Sequence, residues 1–264
     1  MQVVKNGHVI TTLDQWKKFG APKGKDKHWK DGRSAKECAI AWCGKNGAPT
    51  VPAEISTLLA SHLDISNCVI QEVIPEHPVR FDKLPGEPRN SDICCTGRDD
   101  SGDLAISIEV KADESFGSIV SEELARLTKK IANDENTNGI LRIQQLSRWL
   151  LPKWSEGLPH LGELRYQLLT GMAGAIAYAK ANETDRAIFI IHEFKTSATT
   201  DEKHAANAQD LNRFMNRFSD GLHAELEEGW LYGPFEVAAE PSSKEMVKVY
   251  VGKVVRDLKI LKVL

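Results

Sequence analysis

Ser91-Asp92-Ile93-Cys94-Cys95 and Ile106-Ser107-Ile108-Glu109-Val110-Lys111, joined through Arg98-Asp99-Asp100-Ser101-Gly102-Asp103, decide the reading of this chain. The two apolar segments read as strands and the polar, glycine-containing stretch as a tight turn, so together they predict a β-hairpin. Side chains alternate faces along a strand. Glu109 and Lys111 therefore share a face with Ala105 and Ser107, while Ile106, Ile108 and Val110 share the other. Asp92, at the start of the partner strand, is placed to join Glu109 and Lys111 at one end of the hairpin. Two carboxylates and an ammonium converging there suit the holding of a divalent cation and the activation of water. The plainer alternative is an exposed strand face carrying two opposite charges. The small residues that precede Glu109 on its face, and Asp92 beside it, favour the site.

Outward from the hairpin, strands and helices alternate. Ser34 with Glu37 three residues on reads as a capping box opening a helix over residues 34–43, and Gly44 can end it. Residues 52–63 read as a second helix and 68–74 as a strand, followed by a connection rich in proline (Pro75, Pro78, Pro85, Pro88). After the hairpin come a helix over 121–133 and a less regular helical stretch containing Trp149 and Trp154. The longest helical periodicity covers 161–181, where Gly171, Ala173, Gly174, Ala175 and Ala177 permit close approach to a sheet. The unbroken apolar run Ala187-Ile188-Phe189-Ile190-Ile191 then has the character of a buried central strand. A helix over 204–226, with Leu222 and Leu226 on its apolar side, and strands over 235–238 and 248–254 close the chain. At the start, a strand over 3–11 leads to a short helix over 13–19. This pattern predicts an α/β fold with a mixed central sheet flanked by helices. No repeat or linker divides it, so residues 1–264 are expected to form one domain.

Composition narrows the classes. With 41% hydrophobic and 27% charged residues and a net charge of −3, the chain has no global polyanion-binding signature. No apolar run reaches a membrane span and residues 1–6 lack a signal-peptide core, so no membrane partner is expected. Five cysteines without a C-x-x-C pair suggest reduced, buried thiols in a cytoplasmic protein rather than a zinc site. Charge is uneven, however. Lys17, Lys18, Lys23, Lys25, Lys27, Lys30, Arg33, Lys36 and Lys45 face only Asp26, Asp31 and Glu37, with His28-Trp29 among them. This segment can contact phosphates and stack on bases, but a solvated loop whose Trp29 covers the core is the preferred reading. Asp99, Asp100, Ser101 and Asp103 lack the closing glutamate of a calcium loop and read as a polar turn. His192-Glu193 borders the hairpin site or is structural, the latter favoured. No G-x-G-x-x-G, Walker lysine loop or G-x-S-x-G elbow is present.

A hard cation such as Mg²⁺ takes oxygen ligands in an octahedron, commonly one or two carboxylates with a carbonyl, waters and a substrate phosphate. Asp92, Glu109 and the Val110 carbonyl are candidate metal ligands, with Lys111 to orient water and stabilise developing negative charge. Asp92, a turn, then Glu109-Val110-Lys111 resembles the PD-(D/E)XK nuclease superfamily, the restriction-endonuclease-like fold. The order of elements, helix, strand, hairpin, helix, strand, resembles that family's core over residues 34–194, with 1–33 and 195–264 as elaborations. Arg165-Tyr166-Gln167-Leu168-Leu169 and Ile188 to Phe194 are similar to prokaryotic members without a defined substrate. The family's Pro-Asp is Ser91-Asp92 here.

The resemblance implies a nuclease dependent on Mg²⁺ or Mn²⁺ that hydrolyses phosphodiester bonds, with DNA the expected substrate and a homodimer a candidate assembly. It also nominates Glu37, a glutamate on the first helix, and Gln167, a glutamine on the second, as further catalytic residues. Each has a structural alternative: Glu37 as a cap, Gln167 as a boundary residue of a buried helix. The alternative function is an inactive nuclease fold serving as a nucleic-acid- or protein-binding module.

Overall fold

The computed structural model describes residues 1–44 and 48–259. In chain order the elements are β1 (Gln2–Lys5), β2 (His8–Val9), α1 (Leu13–Gln15), a π-helical turn (Trp16–Gly20), α2 (Lys25–His28), α3 (Ser34–Cys43) and α4 (Ala53–Ala60). There follow β3 (Val69–Val79), β4 (Arg89–Asp99), β5 (Gly102–Lys111), α5 (Val120–Ala132) and α6 (Gly139–Leu150). The rest are α7 (Tyr166–Ala181), β6 (Arg186–Lys195), α8 (Asp201–Phe218), β7 (Leu231–Ala238) and β8 (Met246–Asp257).

The eight strands form one sheet in the order β2-β1-β3-β4-β5-β6-β8-β7. β3, β4 and β5 run antiparallel as consecutive neighbours, whereas β5, β6 and β8 are parallel. The fold is α/β with a mixed sheet between two helical layers. The expected hairpin is present and longer than its apolar segments, turning at Asp100-Ser101. Its alternation divides the core in two. Cys94 and Ala105 pack with α5, α6, α7 and α8 on one side. Cys95, Ile106, Ile108 and Val110 pack with α3, α4 and the N-terminal segment on the other. The five cysteines are free thiols, and Cys94 and Cys95 do face opposite layers.

The small-residue stripe on α7 has a specific cause. A Cβ at Gly171 would meet the Phe189 ring at 2.6 Å, and one at Gly174 would meet Cδ of Arg89 at 3.1 Å. Glycine here makes room for a neighbouring ring and for an arginine stem, beyond letting a helix approach a sheet.

Several boundaries differ from the sequence reading, each for a local reason. The strand expected over 3–11 is broken into β1 and β2 by Asn6 and Gly7, both at positive φ, as a tight hairpin turn requires. The helix expected over 161–181 starts at Tyr166. Leu164 and Arg165 are extended because Leu164 accepts the Val120 N–H and Arg165 bridges Ile119. The helix expected from 204 begins earlier, at Asp201, where Thr200 caps it, and ends at Phe218 ahead of Asp220 and Gly221 at positive φ. Leu222 is accordingly exposed rather than in the core. α3 is not opened by Ser34: Arg33 occupies the N-cap position in extended conformation. No helix among the described residues is long and apolar enough to cross a membrane.

Candidate active site

The backbone ladder between β4 and β5 runs from Asp99↔Gly102 to Ile93↔Ile108. At its open end a side chain takes over: Asp92 Oδ2 accepts the Val110 N–H at 2.7 Å. β5 itself continues against β6 as far as Lys111↔Glu193. The two strands separate on one side while staying supported on the other, which leaves Asp92 beside Glu109-Val110-Lys111.

Glu109 and Lys111 share a face, as strand alternation requires, and both are buried. Lys111 Nζ lies 2.7 Å from Glu109 Oε1, and the same oxygen accepts from Gln167 Nε2 at 2.6 Å. Oε2 accepts from an Nη of Arg89. Burial alone would raise the Glu109 pKa, but Lys111 and Arg89 outweigh it and hold the carboxyl below its ordinary value. Burial opposes a charged Lys111, yet Glu109 and Asp92 overcome that and raise its pKa. The pair is thus ionised at neutral pH.

Asp92 is different. Burial and the negative charge of Glu109 push it up to about 7, against the pull of Lys111. Glu76 on β3 is pushed higher, to about 8, by burial and then by Asp92. Glu76 has a positive φ of 50°, uncommon for a non-glycine residue. It is held by Lys5 Nζ, which donates to its carbonyl at 2.6 Å, and by the Asn90 amide, which donates to its carboxylate. A cavity of about 240 Å³ opens here, lined by Glu76, Asn90 and Asp92 from the strands and by Trp16, Lys23 and His28 from the N-terminal segment.

Of the residues nominated from sequence, the structure brings Asp92, Glu109, Val110, Lys111 and Gln167 together. Glu37 lies apart. Its carboxylate accepts the Gly32 N–H at 2.7 Å, a capping role for the loop entering α3, while that helix sends Ser34, Ala35 and Cys38 to the cavity. Two residues of the site carry no sequence signal. Glu76 sits in Pro75-Glu76-His77-Pro78, read as a connection, and Arg89 lies two residues before the segment read as strand. Neither has a spacing signal; strand pairing and helix packing alone bring them in.

The basic N-terminal segment frames the cavity, and its Trp29 also packs on the core. Lys45 lies outside the described residues. His192 is fully buried with Nε2 2.9 Å from Glu54 Oε1, and Glu193 pairs with His204 and Lys253. Both read as structural. Asp99 is buried against Arg186, an ion pair at the start of what the sequence reads as a polar turn.

Asp92, Glu109 and the Val110 carbonyl offer oxygen alone, which suits Mg²⁺ or Mn²⁺. Burial first, and then the Glu109 carboxylate, raise the Asp92 pKa, so a cation bound there would favour its ionised form. Among the described residues, no group of three or more His, Cys, Asp or Glu side chains is arranged to cage an ion. Two carboxylates and one carbonyl would leave an octahedral ion to complete its shell with waters or substrate oxygens.

No curated protein and no solved structure matches the chain. Residues 9–258 match the family model described as a domain of unknown function, DUF6946, and the chain belongs to that family.

Proposed function

We propose that the protein is a metal-dependent phosphodiesterase of nucleic acid, with DNA the expected substrate and a PD-(D/E)XK type of site. The observation that carries this reading is the buried Glu109–Lys111 pair, with Asp92 hydrogen-bonded to the residue between them at a cavity framed by cationic and aromatic side chains. Asp92, Glu109 and the Val110 carbonyl would hold the cation. Bound there, Mg²⁺ or Mn²⁺ would supply Lewis-acid neutralisation of phosphoryl oxygens and an acidified water.

The chain's own groups do the rest. Lys111, raised in pKa by Glu109, remains an ammonium and is no general base. It acts as a fixed cation that donates to the attacking water or to the phosphoryl oxygen as charge develops. Gln167 and Arg89 fix the rotamer of Glu109. Asp92, raised in pKa by burial and Glu109, would be ionised more fully by a cation held there. Lys23 and His28 extend positive and aromatic surface along the cavity, where a nucleic-acid backbone and base can lie.

A second reading has its own support. Both oxygens of Glu109 are already engaged by protein donors, a state compatible with an inactive binding module. Cleavage assays on plasmid, linear double-stranded, single-stranded DNA and RNA with Mg²⁺ or Mn²⁺ separate the two. Cleavage that requires metal and vanishes in Lys111→Ala is expected. Cleavage persisting in that variant removes the mechanism. Absence of cleavage under any metal, with nucleic-acid binding that weakens steeply with salt, leaves the binding module.

A further inference from the structure

Among the described residues Arg89 is the one guanidinium bonded to Glu109, and nothing in the sequence singled it out. Its Nη1 donates to Thr170 Oγ1 at 2.9 Å and reaches the Gln167 carbonyl at 3.5 Å, while Nη2 donates to Glu109 Oε2. Glu109 is therefore satisfied on both oxygens without any ion. We infer that Arg89 is a resident counter-cation that competes with the divalent ion for Glu109, so that it sets metal affinity and holds the carboxylate in position until the ion arrives. This rests on the phosphodiesterase reading for its purpose, but not for its test.

Three features argue for a side chain that can yield. First, Arg89 is not fully satisfied where it sits: its Nε is buried without a hydrogen-bond partner. Second, its Cδ and Nε lie over Gly174 and its Nη2 over Gly171, where the helix leaves room for the guanidinium that any larger residue would remove. Third, a cavity of about 210 Å³ lined by Arg89, Arg142, Tyr166 and Thr170 adjoins it. On release from Glu109 the guanidinium keeps Thr170 Oγ1 and the Gln167 carbonyl as acceptors. Lys111 cannot play this part, because its ammonium sits two residues from Glu109 on the same strand face and has no comparable anchors on α7. A guanidinium and a divalent cation both seek the same carboxylate oxygen, and two such charges on one oxygen repel. The carboxylate must choose.

The test is calorimetric titration of Mn²⁺ into the nucleic-acid-free protein. The wild type is compared with Arg89→Gln and Arg89→Lys, each checked for folding by circular dichroism. Arg89→Gln should bind Mn²⁺ roughly tenfold tighter, within the usual range of a coupling between two ligands, and Arg89→Lys should stay near wild type. Equal or weaker binding by a folded Arg89→Gln overturns the proposal. Should that variant not fold, the side-chain ¹⁵Nε resonance of Arg89 in the wild type decides instead: a shift on Mg²⁺ saturation supports displacement, and an unchanged resonance under saturation overturns it. Absence of Mn²⁺ binding by every protein overturns it as well. The two readings separate cleanly. Tighter binding in Arg89→Gln with no cleavage by the wild type keeps this inference and removes the phosphodiesterase. Wild-type cleavage with no gain in affinity does the reverse.

Discussion

The β4–β5 hairpin carries a buried arginine–carboxylate pairing at each end, and the two are built to different rules. At the turn end Arg186 grips Asp99 through two parallel bonds of 2.6 and 2.5 Å, with one further bond to the Asp64 carbonyl. One charge meets one charge, and the hydrogen bonds from Arg186 hold the Asp99 carboxyl below its ordinary pKa. At the open end three carboxylates share the space: Glu109 meets Lys111 and Arg89, Asp92 lies beside them, and Glu76 has Lys5. Only Glu109 is held low; Asp92 and Glu76 rise to about 7 and about 8. A balanced bidentate pair locks a turn. A crowded, partly buried cluster beside a cavity keeps two of its carboxyls partly protonated, and perturbed carboxylates in a cleft mark candidate functional sites.

The contrast can be broken most decisively at Lys111. Lys111→Ala should lower metal-dependent cleavage by roughly a hundredfold or more, since it removes a preorganised cation from the site of developing charge. Asp99→Asn, at the other end, should leave cleavage per folded molecule unchanged. It should cost about 3 kcal/mol of stability by stranding Arg186, as chemical denaturation would show. Activity lost in parallel at both ends would sink the distinction.

The pH response sharpens it further. Asp92 and Glu76 are raised above their ordinary carboxylate values, so between that range and about 8 the folded, cation-free protein binds more protons than the unfolded chain. Their contribution therefore falls as pH rises from roughly 4 toward 8. Glu109 and Asp99 have the opposite sign: their contribution is present above the ordinary value and is lost only as pH falls through their depressed pKa. Melting in a chelator should thus show a Tm that declines toward pH 8, with the decline reduced in Asp92→Asn and Glu76→Gln. A profile that both variants leave unaltered would contradict the raised pKa of the two carboxyls.

Smaller effects test the helices. Gln167→Ala removes one of the hydrogen bonds on Glu109, and cleavage should drop by roughly tenfold with little change in Tm. Glu37→Ala removes the bond to the Gly32 N–H. It should cost about 1 kcal/mol, the usual scale of a lost helix-start bond, and leave the rate of cleavage as it was. A rate loss in Glu37→Ala that matches Lys111→Ala would return that residue to the catalytic group.

Much of the fold was legible because its signals are local. Alternation in residues 105–111 placed Glu109 and Lys111 together and the isoleucines opposite, and the run at 187–191 declared a central strand. Boundaries were less legible where one tertiary bond overrides a periodicity. Leu164 and Arg165 continue the helical pattern of 161–181, yet the backbone of 118–120 pulls them into extended conformation.

The sequence by itself determined the mixed α/β architecture and the three-residue nucleus Asp92, Glu109 and Lys111, since both follow from short-range periodicity along a strand and across one turn. Only the tertiary structure decided what surrounds that nucleus. Gln167 reaches Glu109 from 58 residues away and Arg89 from 20, while Glu76 arrives by strand pairing and Glu37, in the first turn of α3, bonds back to Gly32 instead. Chain periodicity records which face a side chain takes. Which charges then meet on that face is settled by packing between distant segments, and here packing set an arginine against the carboxylate expected to hold a metal.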